Sequence, residues 1–384
     1  MTTYPHHEPW NLSEEKRAAY RLMSQLSAEA KQKAMSGQGP APVHPVNVPK
    51  LNPDTLMPNM PRNGLTALSL FSGGGGLDLG FSRAGYAHVA SYEILQYAAA
   101  TIDKNLGDGT VLGGDEGDVT RLSARDWRRL YRNDVALIHG GPPCQPFSFA
   151  GRQKGSADSR DMWPNFVEAV LAVEPLAFVA ENVPALVAEK FAEYVRQTIE
   201  LPLGEKFTIQ KFELRAEMFG VPQVRRRVVF VGFRRKRDAA RYAQPQPTHA
   251  PYGSSSEQLP VCMGAREALG LVDIGLDALA PTIRSSLTGP RHTTSIVSSV
   301  SAHRAWERLG IWPNGVSSSR ERASLFVAKN DLFRLSVPDC ALLQGFPETW
   351  HFMGATYMAL GQIGNAVPPP MAYSVASSVS SVLS

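Results

Sequence analysis

Leu65-Thr66-Ala67-Leu68-Ser69-Leu70-Phe71-Ser72-Gly73-Gly74-Gly75-Gly76-Leu77-Asp78-Leu79 is the stretch on which the fold turns. Leu65 to Phe71 is an apolar extended run, four glycines break it, and the pattern restarts as a helix at Leu77. Strand, glycine turn and helix together let a backbone press against a ligand while the N–H groups of the helix start point at it. A glycine turn alone is a weak signal. The next apolar run, Val89-Ala90-Ser91-Tyr92-Glu93, strengthens it by ending in an acid roughly 20 residues on, where a carboxylate can accept both hydroxyls of a ribose. The pair predicts an adenosine-containing cofactor at the edge of an α/β sheet.

Further along, Gly117-Asp118-Val119 offers a second acid, suited either to an exocyclic adenine amine or to capping the turn before Arg121-Leu122-Ser123. The run Val135 to Ile138 reads as a buried parallel strand and leads into Gly140-Gly141-Pro142-Pro143-Cys144-Gln145-Pro146-Phe147-Ser148. A cysteine at the tip of a rigid proline turn is either a structural thiol or a displayed nucleophile. A helical stretch over 162–173 precedes another apolar strand, Leu176 to Ala180, which ends in Glu181-Asn182-Val183-Pro184. Two strand ends of one sheet thus bring a thiol and a carboxylate to one crevice. Gln223-Val224-Arg225-Arg226-Arg227 then enters the strand Val228 to Phe233. From Arg234 to Lys329 the texture turns to proline, serine, threonine and glycine, which predicts a smaller lobe of loops and short strands. Within it Arg284 and Arg291 stand among small hydroxyl residues, the types used on base edges and phosphates. Ordered patterning returns after residue 331 and closes in an amphipathic helix over 371–383. Residues 1–64, one capped helical stretch and a proline-rich tether, read as a mobile appendage.

The bulk properties set limits. The chain has 384 residues, 43% hydrophobic and 19% charged, enough for a core that needs no staples. Its three cysteines, Cys144, Cys262 and Cys340, form no CxxC pair and have no histidines at ligand spacing, so neither a disulfide framework nor a metal is expected. No apolar run approaches the ~20 residues that span a bilayer, which predicts a cytoplasmic chain with no membrane partner. The net charge of +4 is mildly basic, and its excess is clustered at Arg225 to Arg227 and Arg234 to Arg237, which could meet phosphates, although charge alone favours a solvated face.

Taken in order, these motifs resemble the DNA cytosine-5 methyltransferases of bacterial restriction-modification type, from Leu65 to the C-terminus. The resemblance implies a Rossmann-like S-adenosylmethionine-dependent sheet over 65–233, a target-recognition domain over 234–330, and a segment, 331–384, that returns to the first domain. Phe71, Gly73, Gly75 and Glu93 look like the S-adenosylmethionine turn and its ribose acid, Asp118 like the adenine contact. Pro143-Cys144-Gln145 looks like the nucleophile motif, with Pro143 beside the cofactor. Asn365-Ala366-Val367 resembles the segment that closes the cofactor site. Arg225 and Arg227 look like the arginine pair beside a flipped base. Gln145, Ser148, Arg152, Lys154, Gln223, Arg284 and Arg291 are the implied contacts to double-stranded DNA. The family usually has threonine, arginine and glutamate where this chain has Ser336-Val337-Pro338-Asp339, which puts the packing there in question and leaves the chemistry alone.

Carbon 5 of cytosine is a poor nucleophile, and a thiolate adding at carbon 6 turns it into an enamine that takes a methyl group; Cys144 is the implied thiolate. Glu181 would relieve the charge that builds at ring nitrogen 3, a role requiring a raised pKa, and Arg227 would hold the cytosine carbonyl. The loop over 147–161 would close on the extruded base. The expected setting is a monomer at the bacterial nucleoid, protecting DNA against a restriction endonuclease that forms no stable complex with it. A tRNA cytosine methyltransferase, a dinucleotide-dependent oxidoreductase and a non-enzymatic DNA-binding regulator are the competing readings. The residues between Pro281 and Gly315 faintly resemble readers of GGWCC or GGNCC.

Overall fold

The computed structural model describes residues 44–143, 161–284, 294–297, 299–325 and 332–383, with scattered positions between Ser13 and Ser36. The candidate residues Cys144, Gln145, Ser148, Arg152, Lys154 and Arg291 lie outside the described residues.

Seven strands form the central sheet: β1 Thr66–Leu70, β2 Ala87–Glu93, β3 Thr110–Gly113, β4 Leu137–Gly140, β5 Ala177–Asn182, β6 Thr208–Arg215 and β7 Arg226–Phe233. Their order is β3-β2-β1-β4-β5-β7-β6. The first five run parallel, and β7 is antiparallel to both its neighbours. Helices α1 Gly76–Arg83, α2 Gln96–Asn105, α3 Ala124–Tyr131 and α4 Trp163–Val173 connect or follow the parallel strands. Beyond the sheet come α5 Lys236–Arg241, α6 Val300–Arg308, the parallel pair β8 Ile311–Ser317 and β9 Phe333–Ser336, and then α7 Val337–Leu343, α8 Thr356–Asn365 and α9 Pro369–Leu383.

The strands are buried on both faces, as their near-continuous apolar runs require. Leu68, Leu70, Phe178, Ala180 and Phe230 pack with Trp127 of α3 and Trp163 and Phe166 of α4. The alternate residues, Ala67, Leu137, Val179 and Val231, pack with Phe81 of α1 and with Met371, Val375 and Val379 of α9. The last helix therefore covers the sheet as its amphipathic pattern predicts.

Packing sets the second lobe later than the change of composition does at both ends. Helix α5 belongs with the sheet, where Ala239 and Tyr242 join the same cluster as Phe233. At the other end β9 lies beyond residue 330 yet pairs with β8. The lobe also carries one sustained helix, α6, capped by Ser299 accepting from the Ala302 N–H, which its polar composition concealed.

The tether from residue 44 onward is not loose. Lys50 and Leu51 donate their N–H groups to the Ala268 carbonyl, Met60 to Arg83 and Asn63 to Gly85, so the segment runs from the second lobe to the back of α1. Leu51 and Met57 are buried in the core shared by the second lobe and the C-terminal segment. Its prolines, read as linker composition, instead hold a path with one short turn at Pro53–Leu56, along which Leu51 and Met57 are buried while Val46, Val48 and Met60 stay exposed.

Candidate functional site

The parallel register brings five strand ends to one edge of the sheet. Leu70 pairs with Tyr92 and with Gly140, Glu93 with Gly113, and Gly140 with Ala180. Glu93 and Glu181 sit in the last positions of β2 and β5 at that edge, and just past it lie the glycine turn, the Asp118 turn and the Pro142-Pro143 stem.

In the turn Phe71 itself takes the left-handed conformation, φ 57°, a strain that a bulky side chain adopts only where its surroundings impose it. Glu93 fixes the turn. Its Oε2 accepts from the Gly73 N–H at 2.7 Å and its Oε1 from the Leu95 N–H at 2.8 Å. Burial pushes the Glu93 carboxyl up, and these two backbone donors work against that shift. A carboxylate has about four lone-pair sites, so two remain for hydroxyl donors. Gly73 (φ 56°) and Gly75 (φ 78°) are both left-handed but for different reasons. A Cβ on Gly75 would lie 2.5 Å from the Trp350 indole, whereas one on Gly73 would meet nothing closer than the Phe71 carbonyl at 3.9 Å. Gly75 thus makes room for the protein, and Gly73, among the described residues, has open space beside a buried acid. That open left-handed glycine, with Glu93 behind it, fits the ribose side of an adenosine cofactor.

Asp118 resolves into a cap: its Oδ1 accepts from Thr120 N at 3.0 Å and from Thr120 Oγ1 at 2.7 Å, while Oδ2 stands 3.9 Å from Arg121 Nε. The capping and ligand readings of this acid coexist, since a carboxylate can serve both.

At the next two strand ends, Asn182 Nδ2 donates to the Pro142 carbonyl at 3.0 Å and ties the proline stem to β5. Glu181 is buried, and Arg227 Nε lies 2.5 Å from its Oε1. Burial raises the Glu181 carboxyl above its ordinary range, and the nearby Arg227 and Arg225 guanidinium groups oppose that rise. A Cβ on Gly141 would stand 3.1 Å from Glu181 Oε2, so the glycine lets the stem lie close to the acid.

The other two members of the Gln223-x-Arg225-x-Arg227 motif are buried and bonded to other parts of the chain. Arg225 is 2% exposed, and its Nη2 donates to the carbonyls of Gly364 at 2.8 Å and Ala366 at 2.7 Å. Its Nη2 therefore secures the C-terminal segment, while its charge acts on Glu181. Gln223 is 0% exposed, which removes it from direct contact with DNA. Its Nε2 donates to Gln344 Oε1 at 2.9 Å and to the Leu343 carbonyl at 3.1 Å, and its Oε1 accepts from Ile283 N at 3.3 Å. Arg284, next to Ile283, is exposed on the second lobe. Asn365 is exposed at the end of α8, while Ala366 and Val367 are buried against the glycine turn.

Trp350 was not marked by any motif, yet its Nε1 donates to the Gly74 carbonyl at 3.2 Å and its ring closes the turn from the C-terminal side. The departure at Ser336 to Asp339 is a capping box. Ser336 N and Oγ donate to Asp339 Oδ2 at 2.9 and 2.6 Å, and Asp339 Oδ1 accepts from Arg320 Nε at 2.8 Å and Asn47 Nδ2 at 3.1 Å. Serine and aspartate thus start α7 and anchor the strap, so the packing there is complete.

Cys262 and Cys340 are buried free thiols; burial pushes Cys262 up to about 12 and Cys340 well above the ordinary range, which leaves both inert near neutrality. Among the described residues, Asp78, His88 and His139 form one group of metal-ligating types. The Nε2 atoms of the two histidines are 3.0 Å apart, the separation of an N–H···N bond, and Ser91 Oγ donates to Asp78 Oδ1 at 3.0 Å. Neither Nδ1 finds a partner among the described residues. A metal on both Nε2 atoms would fix a proton on each Nδ1 and leave two buried N–H groups without acceptors, one more than the hydrogen-bonded pair leaves. The group reads as a polar knot under α1.

Residues 65–381 match the family model described as C-5 cytosine-specific DNA methylase. The chain is 33% identical over 313 residues to the Type II methyltransferase M.NgoMIV of Neisseria gonorrhoeae, covering 81% of this chain and 95% of that protein. It is 32% identical over 326 residues to the Type II methyltransferase M.NaeI of Lentzea aerocolonigenes, covering 83% of this chain and 75% of the relative. Among solved structures, the Dnmt2 methyltransferase of S. pombe superposes with a TM-score of 0.52 at 16% identity, covering 83% of this chain and 98% of that one, a likeness of fold. Among the described residues no helix is long and apolar enough to cross a membrane.

Proposed function

This chain belongs to the C-5 cytosine-specific DNA methylases, and from that premise we propose that it methylates cytosine in one short duplex DNA sequence through a Cys144 adduct on the extruded base. It is a DNA cytosine-5 methyltransferase that uses S-adenosylmethionine, and when bound that cofactor supplies an electrophilic methyl group. Phe71, Gly73, Glu93, Asp118 and the segment Asn365 to Val367 are the residues that would hold it, with Pro143 at the reacting end.

The observation that carries the reading is Glu181: a buried acid with a raised pKa, bonded to Arg227 and lying against the stem that leads to Cys144. The thiolate of Cys144 adds to carbon 6, and the electron pair displaced from the 5,6 double bond is delocalised toward nitrogen 3. Glu181 donates a hydrogen bond or its proton there, and Arg227 neutralises charge at the carbonyl oxygen. Carbon 5, now nucleophilic, takes the methyl group, loses its proton to a base, and the 5,6 double bond re-forms as the thiolate leaves. With Cys262 and Cys340 held protonated by burial, Cys144 is the thiol suited to this step. Arg152 and Lys154 would clamp the phosphate backbone over the extruded base, with Gln145 and Ser148 facing the duplex and Arg284 and Arg291 reading it from the second lobe.

Similarity to Type II methyltransferases supports a restriction-modification setting, in which a monomer marks sites on the bacterial chromosome that a separate endonuclease would cut. Bisulfite sequencing of DNA from bacteria expressing the chain tests the proposal: protected cytosines in one recurring sequence are expected, and none with Cys144→Ala. Methylation of tRNA in place of duplex DNA, measured with labelled cofactor, would overturn it.

A further inference from the structure

Three side chains that the chemistry does not use, Gln223, Gln344 and Arg225, join the Ile283 backbone in a continuous buried line from the second lobe to the cofactor-closing segment. Ile283, buried beside exposed Arg284, donates its N–H to Gln223 Oε1 at 3.3 Å. Gln223 Nε2 donates to Gln344 Oε1 at 2.9 Å, and Gln344 Nε2 donates to the Ala366 carbonyl at 2.6 Å. That carbonyl also accepts from Arg225 Nη2, which grips Gly364 as well. Gln223 and Gln344 are each 0% exposed.

We infer that the Gln223–Gln344 amide pair couples occupation of the recognition lobe by DNA to closure of the cofactor site, making both glutamines positioning residues. Three observations carry this. First, the direction of each amide is determined: turning Gln223 over would set its NH2 against the Ile283 N–H and its oxygen against the Leu343 carbonyl. The line therefore transmits a displacement of Ile283 as a displacement of Ala366, since no member can rotate without breaking two bonds. Second, a buried amide is costly unless every group is bonded, and two apolar side chains of like volume would pack this space without that cost. Third, the ends of the line are the two places where the proposed function puts ligands: Arg284 on the lobe, and the Ala366-Val367 segment that lies against Gly76 in the glycine turn. The backbone reinforces the first link, with Val224 N donating to the Ala280 carbonyl at 2.9 Å and Ala280 N to that of Pro222 at 2.8 Å.

The inference rests on the methylase reading. Its test uses S-adenosylhomocysteine and the duplex whose sequence bisulfite mapping identifies. In the wild type that duplex should tighten S-adenosylhomocysteine binding by a factor within about 5–150, and S-adenosylhomocysteine should tighten duplex binding by the same factor, because coupling is reciprocal. In the double variant Gln223→Met/Gln344→Met, which removes both partners together, the factor should fall toward one while S-adenosylhomocysteine binding without DNA is kept. A folded double variant with the full factor would overturn the inference. Hydrogen exchange in the wild type gives a second readout that needs no variant: S-adenosylhomocysteine alone should slow exchange in the segment containing Ile283, and unchanged exchange there would also overturn it. A wild type that methylates DNA with a coupling factor of one overturns this inference alone; a wild type that transfers no methyl group to any duplex overturns it together with the methylase reading.

Discussion

Burial lifts the carboxyl of Glu181 while Arg227 at 2.5 Å pulls it down, and the balance leaves the group raised. An acid that must be protonated to act loses activity as pH rises through its pKa, so the rate of methyl transfer should fall on that limb. Glu181→Gln should slow single-turnover methylation by about 10²–10⁴, leave duplex affinity nearly unchanged and remove that limb; a rapid variant with an intact limb would show that another group supplies the proton. The same scale yields a stability prediction from the polar knot. Burial holds His88 and His139 below the ordinary 6.5, His139 well below. Below that pH the unfolded chain takes up protons that the folded chain refuses, so stability is present above about 6.5 and drains as pH falls. Asp78, raised by burial, has the opposite sign: it favours the fold at acid pH, and that contribution is lost as pH rises. His139→Phe keeps the stack on Phe81 and deletes one uptake site. Urea unfolding between about pH 5 and 6.5 should show a shallower acid loss in the variant, by up to about 1.4 kcal/mol per pH unit; equal slopes would mean that His139 is charged in the fold. Glu181 was legible because a strand end and a motif both point to it. The knot was not, because Asp78, His88 and His139 come from three separate elements.

Among the elements, the strands were the most legible. Apolar runs such as Leu176 to Ala180 and Val228 to Phe233 have one stable use in a sheet covered on both faces, and they occupy β5 and β7. The glycine turn was read correctly as a turn, but half of its purpose was hidden. Gly75 opens toward Trp350, and a contact between residues so far apart in the chain leaves no local signature. Proline-rich composition describes a stiff path without saying what the path touches, so the packing of residues 44–63 on the second lobe and α1 leaves no signal in the sequence. Met57 decides that question, being 0% exposed in the core of the second lobe. Met57→Ala should destabilise the protein by about 2–5 kcal/mol, whereas Val48→Ala, at a residue 78% exposed, should shift stability by no more than about 0.5 kcal/mol. Urea denaturation of both variants tests this, and a neutral Met57→Ala would mean that the strap only rests on the surface.

For the molecule as a whole the remaining question is how a protein of net charge +4 engages a polyanion. So small an excess gives little general attraction, so affinity must come from a few basic groups set where the duplex lies. The basic residues proposed for this differ in place: Arg152 and Lys154 follow the Pro142-Pro143 stem in sequence, and Arg284 stands on the second lobe, next to Ile283, which is bonded to the buried amides. Groups that touch phosphate release counterions and set the salt slope, whereas groups that read base edges set the preference among sequences. The two classes should therefore separate on mutation. Arg152→Ala and Lys154→Ala should each make the slope of log affinity against log salt less steep by about 0.9, alike for cognate and unrelated duplexes. Arg284→Ala should leave that slope nearly unchanged and reduce discrimination at one base pair by about 1–3 kcal/mol. Salt titrations of duplex binding with the three variants measure both quantities together. If Arg284→Ala flattened the slope and kept the sequence preference, the second lobe would be gripping the backbone, and recognition would have to lie in the loop that follows Cys144.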